Sequence, residues 1–448
     1  MLAWFLNLVY VAILCAASPL IVFRMLARGK YRAGWGQKLL GRVPRRMGKA
    51  RCIWFHAVSV GEVLQLEPLS ELLALHDPAV EIVISTTTTT GFDVAMKRYP
   101  GRQVFYFPLD FSWAVTAALE RVRPTAIGLV ELELWPNFIL AAARRGIPLV
   151  LINGRMGEKS FRGYCQIRPL IRRIVEKFDG LAVQSDDYAR RLIMLGAEPS
   201  RVEVTGSIKF DRVQTDRANS RTDELRRAFG IEPAETVFIA GSTQEPEERY
   251  ALESYLQLRP RFPGLRLILV PRHKERFDAV ARLVEMEFEL PLLRRSKSRQ
   301  GREGSAFLNR ACEPERSALV ILLDTLGELS ACWGLAQIAF VGGSLTSRGG
   351  QNMIEPAGYG AAVLFGPNTW NFKDVVEMLL ARDAALVVRT PLELTARLEE
   401  LLADPTRGAE LGERAQRLID AQRGAAARTV ELIIRHLPPA AERPKRAA

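Results

Sequence analysis

The chain opens on an uncharged run, residues 2–23, whose apolar character is interrupted only by Asn7, Ser18 and Pro19. Its length matches the ~20 residues needed to cross the core of a bilayer. Positive charge follows the run instead of preceding it, and Cys15-Ala16-Ala17-Ser18 makes a poor cleavage site. The pattern therefore predicts a retained membrane segment with the rest of the chain on the cytoplasmic side. A helix lying in one leaflet is the alternative, and Pro19 leaves it open. From residue 52 onward, short apolar runs alternate with amphipathic stretches. Residues 53–57, 81–86, 103–107, 126–130, 148–152 and 180–183 read as buried strands. A second set follows at 236–240, 265–270, 318–323, 338–341 and 362–365. Such alternation predicts an α/β fold of parallel sheets covered on both faces, with functional groups on the loops at the carboxyl ends of the strands.

A length of 448 residues exceeds what one core organises. The expected plan is a membrane anchor (1–27), a basic membrane-proximal segment (28–51), a first Rossmann-like domain (52–212), a second (213–436) and a disordered tail (437–448). The net charge of +12 would suit a nucleic-acid binder if it were spread over the surface, but ten Lys and Arg fall between residues 24 and 51, and the first acidic residue is Glu62. The remainder is nearly balanced, so a membrane surface, and not nucleic acid, is the expected partner. The five cysteines are scattered, which reads as reduced and cytosolic. The four histidines, His56, His76, His273 and His436, show no ligand spacing, and no Asp-x-Asp pair occurs. Neither a metal nor another cofactor is expected.

Candidate chemistry lies on the loops. Residues 342–356 carry four glycines in nine positions, then Asn352 and Glu355. Backbone without Cβ, followed by a helix starting near Gln351 or Asn352, can hold a phosphate, and Glu355 could meet ribose hydroxyls. A flexible loop with an ordinary helix-starting Glu fits equally well. Ser59-x-x-Glu62 matches a capping box. The hydroxyl row from Thr86 to Thr90 suits sugar recognition or a helix cap. Glu133 precedes Trp135-Pro136-Asn137 at a helix start, where the dipole alone favours a carboxylate. Asn153 and the basic stretch 168–177 could meet an anionic acceptor or be a solvated face.

Across nearly its whole length the chain resembles the 3-deoxy-D-manno-octulosonic acid (Kdo) transferases. The likeness is carried by Val58-Ser-Val-Gly-Glu62-Val63, Glu133-Leu-Trp-Pro-Asn137, Thr205-Gly-Ser-Ile-Lys209-Phe-Asp211, Gly342-Gly-Ser-Leu345, Arg348-Gly-Gly, Asn352, Glu355-Pro356, Phe365-Gly-Pro and Asn371-Phe-Lys-Asp374. The resemblance implies a GT-B glycosyltransferase, two Rossmann-like domains facing a cleft with the nucleotide in the second. It implies Glu62 as general base, and Glu133 and Lys209 as groups that stabilise the transition state. A cytidine-nucleotide pocket would comprise Pro271, Arg272, Leu326, Gly327, Glu328, Asn352, Met353, Ile354 and Glu355. The implied reaction is inverting transfer of Kdo from CMP-Kdo to a lipid A precursor at the cytoplasmic face of the inner membrane. The chain departs from the family at Gln244 and Gln351, where His is usual. Alternatives are another GT-B transferase using a UDP-sugar on a lipid-linked acceptor, and a sugar-nucleotide epimerase. A dinucleotide oxidoreductase is disfavoured because no G-x-G-x-x-G follows a strand.

Overall fold

The computed structural model describes residues 2–28, 33–298 and 319–438. It contains two compact units, one of Met1–Arg212 with Gln422–Ala448 and one of Val213–Ala421. The first unit holds β1 (Cys52–His56), β2 (Glu81–Thr86), β3 (Gln103–Tyr106), β4 (Ala126–Val130), β5 (Leu149–Gly154), β6 (Gly180–Val183) and β7 (Val202–Val204), in the order β3-β2-β1-β4-β5-β6-β7. The second holds β8 (Thr236–Thr243), β9 (Leu265–Pro271), β10 (Leu292–Arg294), β11 (Val320–Leu322), β12 (Ile338–Val341), β13 (Ala362–Phe365) and β14 (Leu386–Val387), in the order β10-β11-β9-β8-β12-β13-β14. Pairing is parallel throughout; Ile53, for example, sits opposite Ile82 on one side and Ala126 on the other. Helices cover both faces, which is why β1, β4 and β12 are buried at every residue and read as unbroken apolar runs.

Three strands lie outside the apolar runs of the sequence: β7, β10 and β14, of three, three and two residues, each at a sheet edge. An edge strand needs apolar residues on fewer sides, so its sequence carries little signal. The first residue of the predicted 318–323 run lies outside the described residues, as do Cys312 and the tail beyond Pro438.

The last helix, Ala425–His436, corrects the domain plan that kept residues 213–436 together. It returns to the first unit, where Val430, Leu432 and Ile433 join a core with Ile53, Leu66 and Leu69. Asp211 accepts the backbone N–H groups of Gly424 and Ala426, both at 2.5 Å, and the Arg428 guanidinium donates to Thr205 O at 2.7 Å. An amphipathic stretch announces an apolar face but does not say which sheet will cover it.

The first helix, Leu2–Arg28, runs unbroken through Pro19. Pro19 removes the donor that would meet the Cys15 carbonyl, and Ser18 Oγ takes its place at 2.8 Å. Near its start the helix is fastened to the first unit. Asn7 exchanges hydrogen bonds with Ser112, at 2.8 Å and 3.0 Å, and accepts one from Asn137 Nδ2 at 3.2 Å. Tyr10 donates to Asp110 at 2.9 Å. Trp4, Phe5, Leu8, Ile13, Leu20 and Phe23 stay exposed.

The basic segment also divides. Residues 29–32 are outside the described set, and Arg46 is buried, donating to the carbonyls of Val122, Ala50 and Arg123 and pairing with Glu81 at 3.2 Å. Arg51 pairs with Asp77 at 2.6 Å, and Lys38 sits over the Tyr106 ring. These three charges serve the fold, whereas Arg42, Arg45 and Lys49 are exposed.

Candidate functional site

In the first unit the strand order reverses between β1 and β4, the crevice where open α/β sheets bind ligands. Glu62 follows β1 on the first turn of the helix Val60–His76, and Glu133 follows β4 just before the helix Pro136–Arg144. The capping box is present. Glu62 accepts the N–H groups of Val58 at 2.8 Å and Ser59 at 3.2 Å, and its own N–H donates to Ser59 Oγ at 3.3 Å. Thr86 and Thr88 both donate to Val58 O at 3.0 Å, so these hydroxyls brace the Glu62 loop from beneath. The cap fixes the carboxylate while leaving each oxygen a second lone pair. Burial raises the Glu62 carboxyl above its ordinary range despite these donors. Burial, helped by the charge of Glu62, pushes Glu133 up to about 7. Trp135 Nε1 donates to Glu133 Oε2 at 2.8 Å.

Lys209 is exposed on the one-turn helix Ile208–Phe210. Asn153 ties that turn to the helix bearing Glu62. Its Oδ1 accepts from Ile208 N at 3.1 Å, and its Nδ2 donates to Gln65 Oε1 at 2.6 Å, one turn beyond Glu62. Asn153 is buried with φ 55°, a left-handed conformation that Asn tolerates. It is therefore a junction and not an acceptor contact. Arg168, Arg172, Arg173 and Lys177 are exposed.

In the second unit the order reverses between β8 and β12. The glycine-rich loop after β12 is held from behind by Glu247, a buried residue that the sequence reading passed over. Its carboxylate accepts four backbone N–H groups, from Gln244 at 2.8 Å, Gly343 at 2.6 Å, Ser344 at 3.0 Å and Leu345 at 2.9 Å. Of the expected phosphate cradle, the N–H groups of Gly343, Ser344 and Leu345 are already taken by that carboxylate. A Cβ on Gly342 would lie 2.5 Å from Thr243 Cα, so glycine is required there for packing. The helix expected to start near Gln351 or Asn352 begins instead at Ile354 and ends at Gly358. Asn352 lies just before its N-cap Met353, accepting from Ile354 N and donating to Glu355 Oε1, both at 3.0 Å.

The other donor-pocket candidates also follow strands. Pro271 ends β9 and is buried, while Arg272 beside it is exposed. Leu326, Gly327 and Glu328 come after β11; Leu326 is 72% exposed, and Glu328 is engaged by Arg295 at 2.8 Å and by the Thr325 hydroxyl. Met353 and Ile354 are packed inside, so only their backbone can meet a ligand. Arg272 is exposed and Glu355 half-buried. Among the described residues no cluster of His, Cys, Asp and Glu is arranged to hold a metal ion.

Residues 32–212 match the family described as 3-deoxy-D-manno-octulosonic-acid transferase (kdotransferase). A 3-deoxy-D-manno-octulosonic acid transferase of Bordetella pertussis is 33% identical over 95% of this chain and 98% of its own length. The chain belongs to the Kdo transferase family. The Haemophilus influenzae transferase is 32% identical over 86% of this chain and 88% of its own. This Kdo transferase also has the fold of a UDP-GlcNAc 2-epimerase from Neisseria meningitidis, with a TM-score of 0.55 over 86% of this chain and all of the other. At 13% identity that likeness concerns the GT-B-type fold alone. Membership of the family makes the protein a Kdo glycosyltransferase of lipopolysaccharide synthesis.

Proposed function

We propose that this transferase moves Kdo from CMP-Kdo to a lipid A precursor at the cytoplasmic face of the inner membrane, with inversion at the anomeric carbon. The observation that carries the reading is the pair of carboxyls at the first unit's reversal point, Glu62 and Glu133, both raised by burial. Ionised Glu62 takes the proton of the acceptor hydroxyl as that oxygen bonds to the anomeric carbon. The bond from that carbon to the phosphate oxygen breaks, and CMP leaves with the electron pair. Glu133, held protonated, can donate a hydrogen bond to the anionic sugar without adding a second negative charge. Arg272 is assigned to the donor phosphate and Lys209 to charge developing in the transition state.

The first helix is assigned to one leaflet. Asn7 and Tyr10, near its start, are bonded to the folded unit, and that support favours lying over spanning, because a span would carry them to the far side. The exposed apolar side chains of the helix would enter the lipid, and Arg42, Arg45 and Lys49 would meet its headgroups.

CMP-Kdo has one phosphate, and two cations can balance the charge that appears as it departs. Transfer is therefore expected to proceed at an undiminished rate in excess EDTA. A rate that collapses with chelator and returns with magnesium would contradict the leaving-group assignment.

A further inference from the structure

His56, the last residue of β1, is fully buried and takes no part in the chemistry assigned so far. Its ring stacks on Phe107, with centroids 3.7 Å apart. Nδ1 lies 3.1 Å from Ser85 Oγ and 3.2 Å from Ser85 O. Nε2 is buried without a hydrogen-bond partner and points at Glu133, 4.0 Å from Oε2. A buried polar nitrogen left unpartnered beside a carboxyl is costly unless the two meet when the site is occupied.

The surrounding donors decide how they would meet. Trp54 Nε1 donates to Ser85 Oγ at 2.7 Å, so the hydroxyl proton must go elsewhere. It has two acceptors in reach, His56 Nδ1 at 3.1 Å and Phe55 O at 3.4 Å, and the first is nearer; Ser85 O, 3.2 Å from Nδ1, already accepts Ala57 N at 3.0 Å and needs no proton from the ring. If Ser85 donates to Nδ1, the single proton of the neutral imidazole sits on Nε2. The chain of donors then runs one way, from Trp54 through Ser85 and His56 to Glu133.

We propose that His56 is a positioning residue for Glu133: its Nε2–H donates to Glu133 Oε2 and, with the Trp135 indole N–H, leaves Oε1 as the oxygen that carries the carboxyl proton toward substrate. A shift of about 1 Å in the partly exposed Glu133 side chain closes the 4.0 Å gap to hydrogen-bond length. Burial holds the imidazole down to about 3, so it stays neutral and acts as a fixed donor, not as a proton carrier. The groups that face Glu133 are His56, Glu62, Glu131 and Tyr164. Glu62 and Glu131 push its carboxyl up, and Glu133 in turn raises the Tyr164 hydroxyl. Glu62 must be ionised and Glu133 protonated, so transfer should follow a bell whose alkaline limb belongs mainly to Glu133 and whose two apparent values belong to the pair. The inference rests on the reading of Glu133 as a substrate-facing residue.

Three measurements test it. With 15N-labelled histidine in the full-length protein, the His56 resonances should show the Nε2–H tautomer from pH 6 to 8; the Nδ1–H tautomer would overturn the proposal without recourse to any variant. His56→Phe keeps the stack on Phe107 but removes the donor, and should lower kcat about tenfold, the effect of losing one such bond, with little change in KM. Its alkaline limb should move to higher pH, because a donor to the carboxylate has been lost. His56→Gln, which restores an N–H near the Nε2 position, should recover most of the rate and return the limb. Loss of rate with an unmoved limb and no rescue by Gln would show a structural role only. Glu133→Gln separates the two levels: full activity in that variant sinks the reading of Glu133 itself, while an inactive Glu133→Gln beside a normal His56→Phe sinks only this proposal.

Discussion

Replacing Glu62 by Gln tests whether a residue that caps a helix also performs the chemistry. The carboxylate now accepts two backbone N–H groups, from Val58 at 2.8 Å and Ser59 at 3.2 Å, one on each oxygen. Gln keeps one acceptor and turns an amide NH2 toward the other donor, so one buried N–H loses its partner. The cost to stability should be about 1–3 kcal/mol, and the melting temperature should fall by a few degrees. As the proposed general base, however, Glu62 should be worth at least ~100-fold in kcat, with CMP affinity unchanged because the residues proposed for the nucleotide belong to the other unit. Ser59→Ala is the control. It removes the other arm of the same box, Glu62 N to Ser59 Oγ at 3.3 Å, and should cost ~1 kcal/mol of stability while leaving kcat within about threefold. Thermal melts, CMP titration and initial rates of transfer on the two variants settle the matter. A Glu62→Gln protein that melts early but turns over like the wild type would leave Glu62 a cap and nothing more.

Two further outcomes follow from the geometry. Glu247→Ala leaves three backbone donors of the glycine-rich loop, and that of Gln244, without their acceptor, so it should weaken CMP binding at least ~10-fold and lower the melting temperature sharply; unchanged titration and melting would refute the bracing role. If the first helix lies in one leaflet, Ala3→Cys, placed in a chain whose native cysteines have been replaced, should react with an impermeant maleimide only from the cytoplasmic face of sealed vesicles, and labelling only from the opposite face would restore a span.

Much of the architecture was legible because a covered parallel sheet writes itself as unbroken apolar runs. β1, β4 and β12 are buried at every residue and are plain in the sequence; β7, β10 and β14, short and at the edges, are not. The positions of Glu62 and Glu133 were legible too, since each follows a strong strand signal. Their proximity was not, because it depends on β1 and β4 lying side by side, and strand order leaves no mark on any one segment. Glu247 went unseen, Asn153 was expected at an acceptor and His56 was weighed only as a metal ligand, for a related reason. Each acts through side-chain bonds to residues distant in the chain: Glu247 reaches Gly343, Asn153 reaches Gln65, and His56 faces Glu133. The glycine-rich loop shows the same limit. Its composition advertised free N–H groups, and three of them are taken by a carboxylate nearly a hundred residues earlier.

The central claim is tested most directly by mass spectrometry of the lipid product. Purified enzyme in vesicles would receive tetra-acylated lipid A precursor with CMP-Kdo, and in parallel with UDP-sugars. The account predicts that CMP-Kdo alone supports reaction, that the lipid gains one or more whole Kdo residues, and that CMP is released in equal number. A lipid that stays unmodified with CMP-Kdo, or that gains a sugar from a UDP donor, would contradict it.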